Sequence, residues 1–368
     1  MDFDFSDEQV AVRDLAAQIF TGHATVDRIK QIEAGNERID RDLWAALATA
    51  NLLGIALPEE DGGSGLGLMS LCLVLQEQGR RLAPVPLLPT IALGALPIAE
   101  FGTVEQRSTW LPRVISGEAI LTAALDEADS IDPAAPRVIA SAGGRLSGSK
   151  VVVPAGHIAD RVLVPASTPD GVTVFVVDPS ADGVTIDVVD TTDHQRAAHI
   201  TFVNAPTEAT LGRAGDGAAV VRWILDRGLV GLAAIQLGVA DEAIRLAAEY
   251  TSGRLQFGKP LSTFQGVSLR AADAYIDASA MNVTLWQAAW RIDEGLDASR
   301  EVAIAKWWAA DGGERVVHAT QHLHGGMGAD VDYPVHRYFL WGKQIADSLG
   351  GASKQLARIG ADIADAYR

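Results

Sequence analysis

Residues 171–178 read "GVTVFVVD" and residues 183–190 read "GVTIDVVD". Both runs are short, rich in β-branched residues and opened by glycine, and turn residues separate them, which is the pattern of β-strands. Similar runs lie on both sides: "RLSGSKVVVPAG" at 145–156, "ADRVLVPA" at 159–166 and "AAHITFVNA" at 197–205. Residues 119–211 therefore read as a small β domain.

The period changes from two to about 3.6 on either side of it. In residues 1–118 Ser6 reads as a helix N-cap with Gln9 completing a capping box. Further on, "DRDLWAALATANLLG" at 40–54 repeats apolar residues at three and four, with Gly54 as the predicted stop. The segment "PEEDGGSGLG" at 58–67 reads as a loop. In residues 212–368 the helical segments are long: 218–254, 263–295, 299–326 and the amphipathic run "ASKQLARIGADIADAYR" at 352–368. Long helices with short connections predict an antiparallel bundle. The fold class is α+β and mostly α: an N-terminal helical domain, a middle β domain and a C-terminal helical bundle.

Bulk properties narrow the function classes. With 368 residues, 48% hydrophobic content and 15 prolines, the chain can bury a large core. A net charge of −17, with no basic stripe, argues against nucleic acid. The longest apolar stretches fall short of a membrane span, and the acidic start "MDFDFSDEQ" lacks the parts of a signal peptide. The single cysteine, Cys72, sits in the apolar run "LMSLCLVLQ" and reads as an inert core thiol of a protein in a reducing cytoplasm.

Several chemical motifs fail on inspection. "GGSGLG" at 62–67 follows "LPEED" instead of a strand and lacks phosphate-loop spacing, so a surface turn is the better reading. Glu314, His318 and His322 recur every four residues, but without a His-Glu-x-x-His signature or a distant ligand they read as a polar helix face, and no metal is expected. A serine-hydrolase elbow is missing.

Two elements carry more. "RLQFGKPLSTFQ" at 254–265 reads locally as a helix that ends at Gly258 and is barred from continuing by Pro260. Functionally it offers Arg254 in the last turn, suited to a pyrophosphate, then the aromatic Phe257 and the amide of Gln265. "HLHGGMG" at 322–328 follows a helix and presents paired glycines, which allow close backbone approach.

In this order, and with "FSDEQ" at 5–9, "LLGIALPEEDGGSGLG" at 52–67 and "DYPVHRYF" at 332–339, the chain resembles the acyl-CoA dehydrogenase family over essentially its whole length. The resemblance implies that family's fold and a homotetramer or dimer of dimers with FAD between adjacent subunits. It implies an acyl-CoA substrate, a carboxylate that removes the α-proton while the flavin takes the β-hydride, and an electron acceptor such as an electron-transfer flavoprotein. Arg254, Phe257, Gln265, Gly325 and Gly326 match the positions that one chain contributes to its neighbour's flavin. His322 stands where the pattern has Gln.

The positions that serve a chain's own flavin depart from the pattern. "AALDEADSID" at 123–132 stands where the family has a Thr-Glu-Pro-x-x-Gly-Ser-Asp type loop, and "VVPAG" at 152–156 lacks the aromatic and hydroxyl residues that pack on the flavin. The commonest catalytic Glu corresponds to Gly350. A minority of the family places its base earlier, just before an Arg, which corresponds here to Asp226, with Arg227 beside it toward the substrate. Asp is one methylene shorter than Glu, roughly 1.5 Å less reach. A helix-surface carboxylate paired to Arg222 or Arg227 is the alternative.

This combination resembles one subunit of actinobacterial heteromeric α2β2 acyl-CoA dehydrogenases that act on CoA thioesters of steroid side chains. In those, a partner chain supplies the base and most of the flavin site. A self-sufficient homo-oligomer using Asp226, or a non-redox paralogue binding a CoA thioester or a partner, are the other two expectations.

Overall fold

The computed structural model describes residues 4–366. Met1–Phe3 of the acidic start, and Tyr367 and Arg368 of the final amphipathic run, lie outside the described residues. The elements run α1 (Asp7–His23), α2 (Val26–Glu33), α3 (Arg41–Thr49), α4 (Gly67–Arg81), α5 (Leu96–Phe101) and α6 (Val104–Ile115). Eight strands follow: β1 (Leu121–Ala123), β2 (Ile139–Ala140), β3 (Leu146–Pro154), β4 (Arg161–Thr168), β5 (Gly171–Val177), β6 (Val184–Asp190), β7 (Arg196–Ala205) and β8 (Ala209–Leu211). The chain then continues as α7 (Gly217–Gly253), the short β9 (Leu255–Gln256) and β10 (Lys259–Pro260), α8 (Gln265–Asp293), α9 (Ser299–Trp307), α10 (Gly313–Leu323), α11 (Val335–Asp347) and α12 (Ala352–Ala366). The fold is mostly helical α+β, as the periodicity predicts. None of the described helices is long and apolar enough to cross a membrane.

The chain forms two compact units, one of residues up to Gln31, Leu68–Ala83 and Leu229 onward, the other of Ile32–Gly67 and Pro84–Gly228. The second unit holds the sheet, ordered β6-β7-β3-β2-β4-β5-β8 with β1 paired parallel to β4. Its core is built from Leu146, Val162, Val164, Phe175, Ile200 and Phe202. Pro165 lies inside β4, where a proline normally forfeits a ladder bond. The outer side of β4 is taken by β1 as far as Leu163 and by β2 from Ser167, whose N–H donates to Val138 O at 2.8 Å. Residues two apart point the same way in a strand, so the missing N–H of Pro165 faces the gap between β1 and β2.

The first unit is helical. Its α4 and α7 meet at closest approach through Gly79 and Gly238: a Cβ on Gly79 would lie 2.0 Å from Ile235 O, and one on Gly238 1.9 Å from Gln76 O. Asp293, at the end of α8, caps α4 from a distance by accepting the N–H groups of Leu68 (2.7 Å) and Met69 (2.8 Å). Cys72 is buried in α4, and burial pushes its thiol pKa well up, as an inert core cysteine requires.

Local signals hold in part. Ser6 and Gln9 do form the reciprocal capping box. Gly54 does not stop its helix: α3 ends at Thr49, and Asn51, in the left-handed region at φ 58°, is the reversal residue. Its N–H donates to Ala48 O at 2.9 Å and that of Leu52 to Leu47 O at 3.0 Å, the two bonds of a Schellman ending.

Candidate functional site

The Arg254 element is a hairpin, which corrects the expectation of a helix running to Gly258. The helix α7 ends five residues earlier, at Gly253, so Arg254 stands just beyond the last turn. The strands β9 and β10 then pair antiparallel around Phe257 (φ 53°) and Gly258 (φ 75°). Two consecutive left-handed residues make a type I′ turn, whose twist matches that of the strands it joins. The Leu261 N–H closes the loop on Arg254 O at 2.9 Å.

This geometry displays the side chains outward. Phe257 is 91% exposed, with its ring edge-on to Phe264 at 6.3 Å, and Lys259 Nζ lies 4.4 Å from the centre of the Phe264 ring. The Arg254 guanidinium is exposed and makes no hydrogen bond or ion pair among the described residues. Gln265, also exposed, opens α8.

The second element lies in the same compact unit. The helix α10 ends at Leu323 with buried His324 as its C-cap, and a single 3-10 stretch spans Gly325–Ala329. A Cβ added at Gly325 or Gly326 would meet nothing within 4 Å, so the backbone here borders open space. Gly328 is the opposite, packed against Gln321, whose Nε2 donates to Gly328 O at 3.0 Å. His322 is exposed. Glu314 is engaged by Lys343, and His318 Nε2 lies 3.6 Å from its carboxylate, an ordinary polar face.

In the other unit, the loop at 123–132 is tied down from within. Glu127 is buried: Oε1 accepts from Lys150 Nζ at 2.6 Å and from Val138 N–H at 3.2 Å, and Oε2 accepts from Arg137 N–H at 2.6 Å. Lys150 has no exposed surface, and its desolvation pulls its pKa down against the attraction of Glu127. Just beyond it, β3 bulges against β7, and Val152 (φ 49°) and Ala155 (φ 53°) adopt left-handed backbone in the "VVPAG" stretch. A β-branched residue in that region is strained. Nothing in the local sequence pattern marks Glu127 and Lys150 as partners, because only the folded loop after β1, tied to β3 by the Val151 N–H bond to Asp126 O, brings them together.

Asp226 and Arg227 sit half-buried on α7. The Arg227 guanidinium lies 3.3 Å from the centre of the Trp223 ring, one turn back, and its Nη1 donates to Trp223 O at 3.3 Å. Trp223 in turn meets Phe101 edge-on at 5.3 Å. Arg227 is thus held over an aromatic face.

Gly350 is more than an empty position. Leu349 (φ 55°) and Gly350 (φ 97°) both take left-handed backbone between α11 and α12. A Cβ on Gly350 would lie 2.4 Å from Lys354 Cδ, so the lysine stem covers the direction in which a side chain would project. Buried Gln355 fixes the turn by donating from Nε2 to Gly350 O at 3.1 Å.

Comparison with known proteins gives the family of the chain. Residues 6–118 match the model of the acyl-CoA dehydrogenase N-terminal domain, and residues 215–363 that of the C-terminal domain. Acyl-CoA dehydrogenase FadE27 of Mycobacterium tuberculosis is 38% identical, covering 99% of each chain. Among solved structures, a variant of the Tcur3481-Tcur3483 steroid ACAD has 48% identity and a TM-score of 0.92, covering 98% of this chain and 99% of that one. The ChsE4-ChsE5 complex from M. tuberculosis has 38% identity and a TM-score of 0.93, covering 99% of both. The chain belongs to the acyl-CoA dehydrogenase family.

Proposed function

We propose that this chain is one subunit of a heteromeric, FAD-dependent acyl-CoA dehydrogenase that desaturates a bulky, steroid-derived acyl-CoA at its α,β-carbons. The single observation behind this reading is an asymmetry. The residues matching those given to a neighbour's flavin are laid out for contact, while those matching a chain's own flavin site are filled in. Arg254, Phe257, Gln265 and the open Gly325–Gly326 backbone fit the diphosphate and flat rings of FAD: an exposed guanidinium, an exposed ring, an amide and approachable peptide groups. By contrast, Gly350 is covered by Lys354, and the Glu127 loop is held by a buried ion pair.

FAD, when bound, supplies the hydride acceptor, and a partner chain supplies the base. His322, exposed where the family pattern has Gln, would offer its imidazole to the adenine end of the cofactor. Two relatives are solved as heteromeric assemblies, one of them named as a steroid enzyme, which supports both the partner and the substrate class. Leu269, Ile276 and Val283 recur every seven residues on α8, each more than half exposed, as an apolar face suited to a partner chain would be.

The test is the visible spectrum of the chain purified alone and then co-expressed with a candidate partner subunit of the acyl-CoA dehydrogenase family. The chain alone is expected to be colourless and the complex yellow. In the complex, Arg254→Ala should weaken FAD binding by about 10- to 100-fold, the range of a lost charge-assisted hydrogen bond. Flavin retained by the lone chain would overturn the reading.

Asp226, half-buried beside Arg227, keeps a second reading open, a self-sufficient homo-oligomer with Asp226 as base. Under the leading reading Asp226→Asn changes turnover of the complex by less than about threefold, the scatter of a residue outside the proton path. Turnover abolished with flavin still bound would favour Asp226 as base.

A further inference from the structure

We infer that His324 is a positioning residue that sets the spacing between the Arg254 hairpin and the Gly325–Gly326 turn for the nucleotide part of FAD. The inference rests on the trans-donor reading above. A Cβ on Gly325 or Gly326 would meet nothing within 4 Å, so no neighbour braces either glycine from that side. Their placement therefore comes from the residues on either side. On one side Gly328 is pinned to Gln321; on the other stands His324, only 1% exposed.

Thr320, Tyr250 and Tyr333 contact the His324 ring. Its Nδ1 lies 2.7 Å from Thr320 O. A carbonyl only accepts, so Nδ1 carries the hydrogen and ties the ring to the last turn of α10. The ring stacks on Tyr250 at 4.7 Å and 29°, and Tyr333 approaches it at 5.3 Å. Tyr250 and Tyr333 also meet each other at 6.4 Å. Burial lowers the imidazole pKa, against backbone hydrogen bonds to Thr320 and Leu246 that raise it.

The consequence lies in where Tyr250 sits. It is one helical turn before Arg254, and the Arg254 N–H donates to Tyr250 O at 2.9 Å. The end of α7 and the glycine turn thus share one aromatic joint. All these segments belong to a single compact unit, so the joint sets the distance between the guanidinium and the approachable backbone. Stacked rings resist sliding better than aliphatic contacts because their preferred geometry is narrow.

The experiment uses the flavin-bearing form of the protein and measures FAD release through the fluorescence of free flavin, together with thermal unfolding without FAD. His324→Ala removes both the stack and the Thr320 bond; His324→Phe keeps the stack. His324→Ala should weaken FAD binding about tenfold and His324→Phe less than about threefold. In an Arg254→Ala background, His324→Ala should add less than its own separate effect, because the two act as one unit. If His324→Ala does not fold, Tyr250→Leu carries the same expectation. A lower unfolding temperature with unchanged FAD affinity, or full multiplicativity in the double variant, would overturn the positioning role alone. Unchanged affinity in Arg254→Ala would overturn the trans-donor reading and this inference with it.

Discussion

Glu127→Ala is expected to lower the free energy of unfolding by about 3–5 kcal/mol, the cost of stranding a buried charge. Lys150 has no exposed surface and its Nζ has the Glu127 carboxylate at 2.6 Å. The same carboxylate accepts the N–H groups of Arg137 and Val138, so one substitution leaves an ammonium and two peptide donors without their acceptor. Desolvation already lowers the Lys150 pKa with Glu127 present, and the substitution removes the main attraction that opposes it. Replacing both partners, as in Glu127→Leu with Lys150→Met, should recover a large part of the loss because no charge remains to be compensated. Urea titration of the two single variants and the double variant gives the coupling directly. A loss below about 1 kcal/mol in Glu127→Ala would mean that water or the surrounding loop takes over the role of the carboxylate.

This pair also explains what could be read from sequence and what could not. The order of helical, β and helical segments was legible because it rests on residue periodicity, which survives in any window of the chain. The capping box at Ser6 and Gln9 was legible for the same reason, since its partners are three residues apart. The endings were harder. Glycine is the strongest sequence sign of a helix stop, yet α3 reverses at Asn51 ahead of Gly54, and α7 gives way to a hairpin ahead of Gly258. Arg254, Phe257 and Gln265 could be picked out by resemblance, but their exposure on a type I′ hairpin needed the backbone angles. Glu127 and Lys150 lie 23 positions apart and meet only because the loop after β1 folds against β3. In "DEAD" and "SGSKV" both look like surface charges, so the loop at 123–132 could be read only as a loss of glycine and proline. His324 was hidden in another way, its motif being read for the glycines that follow it.

Lys306→Met is expected to destabilise the protein by about 2–4 kcal/mol and to remove one source of its pH dependence. Lys306 lies on α9 in "AIAKWW", where a lysine reads as a surface position, but it is fully buried. Its Nζ donates to Ile345 O at 2.9 Å and Ala346 O at 3.0 Å, two carbonyls in the last turn of α11 that the helix itself leaves free. Burial brings its pKa down from 10.5 to about 7, opposed by the nearby Asp347. A neutral amine still has two N–H bonds to donate, matching the two carbonyls, so the cap survives loss of the proton. The unfolded chain holds its proton up to about pH 10.5, whereas the folded chain gives it up near pH 7. Between those values the unfolded state binds more protons, so this group makes stability rise with pH, by up to about 1.4 kcal/mol per unit. Below pH 7 both states are protonated and the slope from Lys306 vanishes. Urea midpoints at pH 7 and 9.5 should therefore separate further in the parent chain than in Lys306→Met; equal separation would show that Lys306 stays charged when folded. The carbonyls it holds come directly before the Leu349–Gly350 reversal. Gln355 holds this turn through the Gly350 carbonyl, and the Lys354 stem lies where a side chain on Gly350 would project, so that stem would have to move to admit one. Supplying a carboxylate there by Gly350→Glu would meet a φ of 97° as well as that stem, so it would add strain before it added a base.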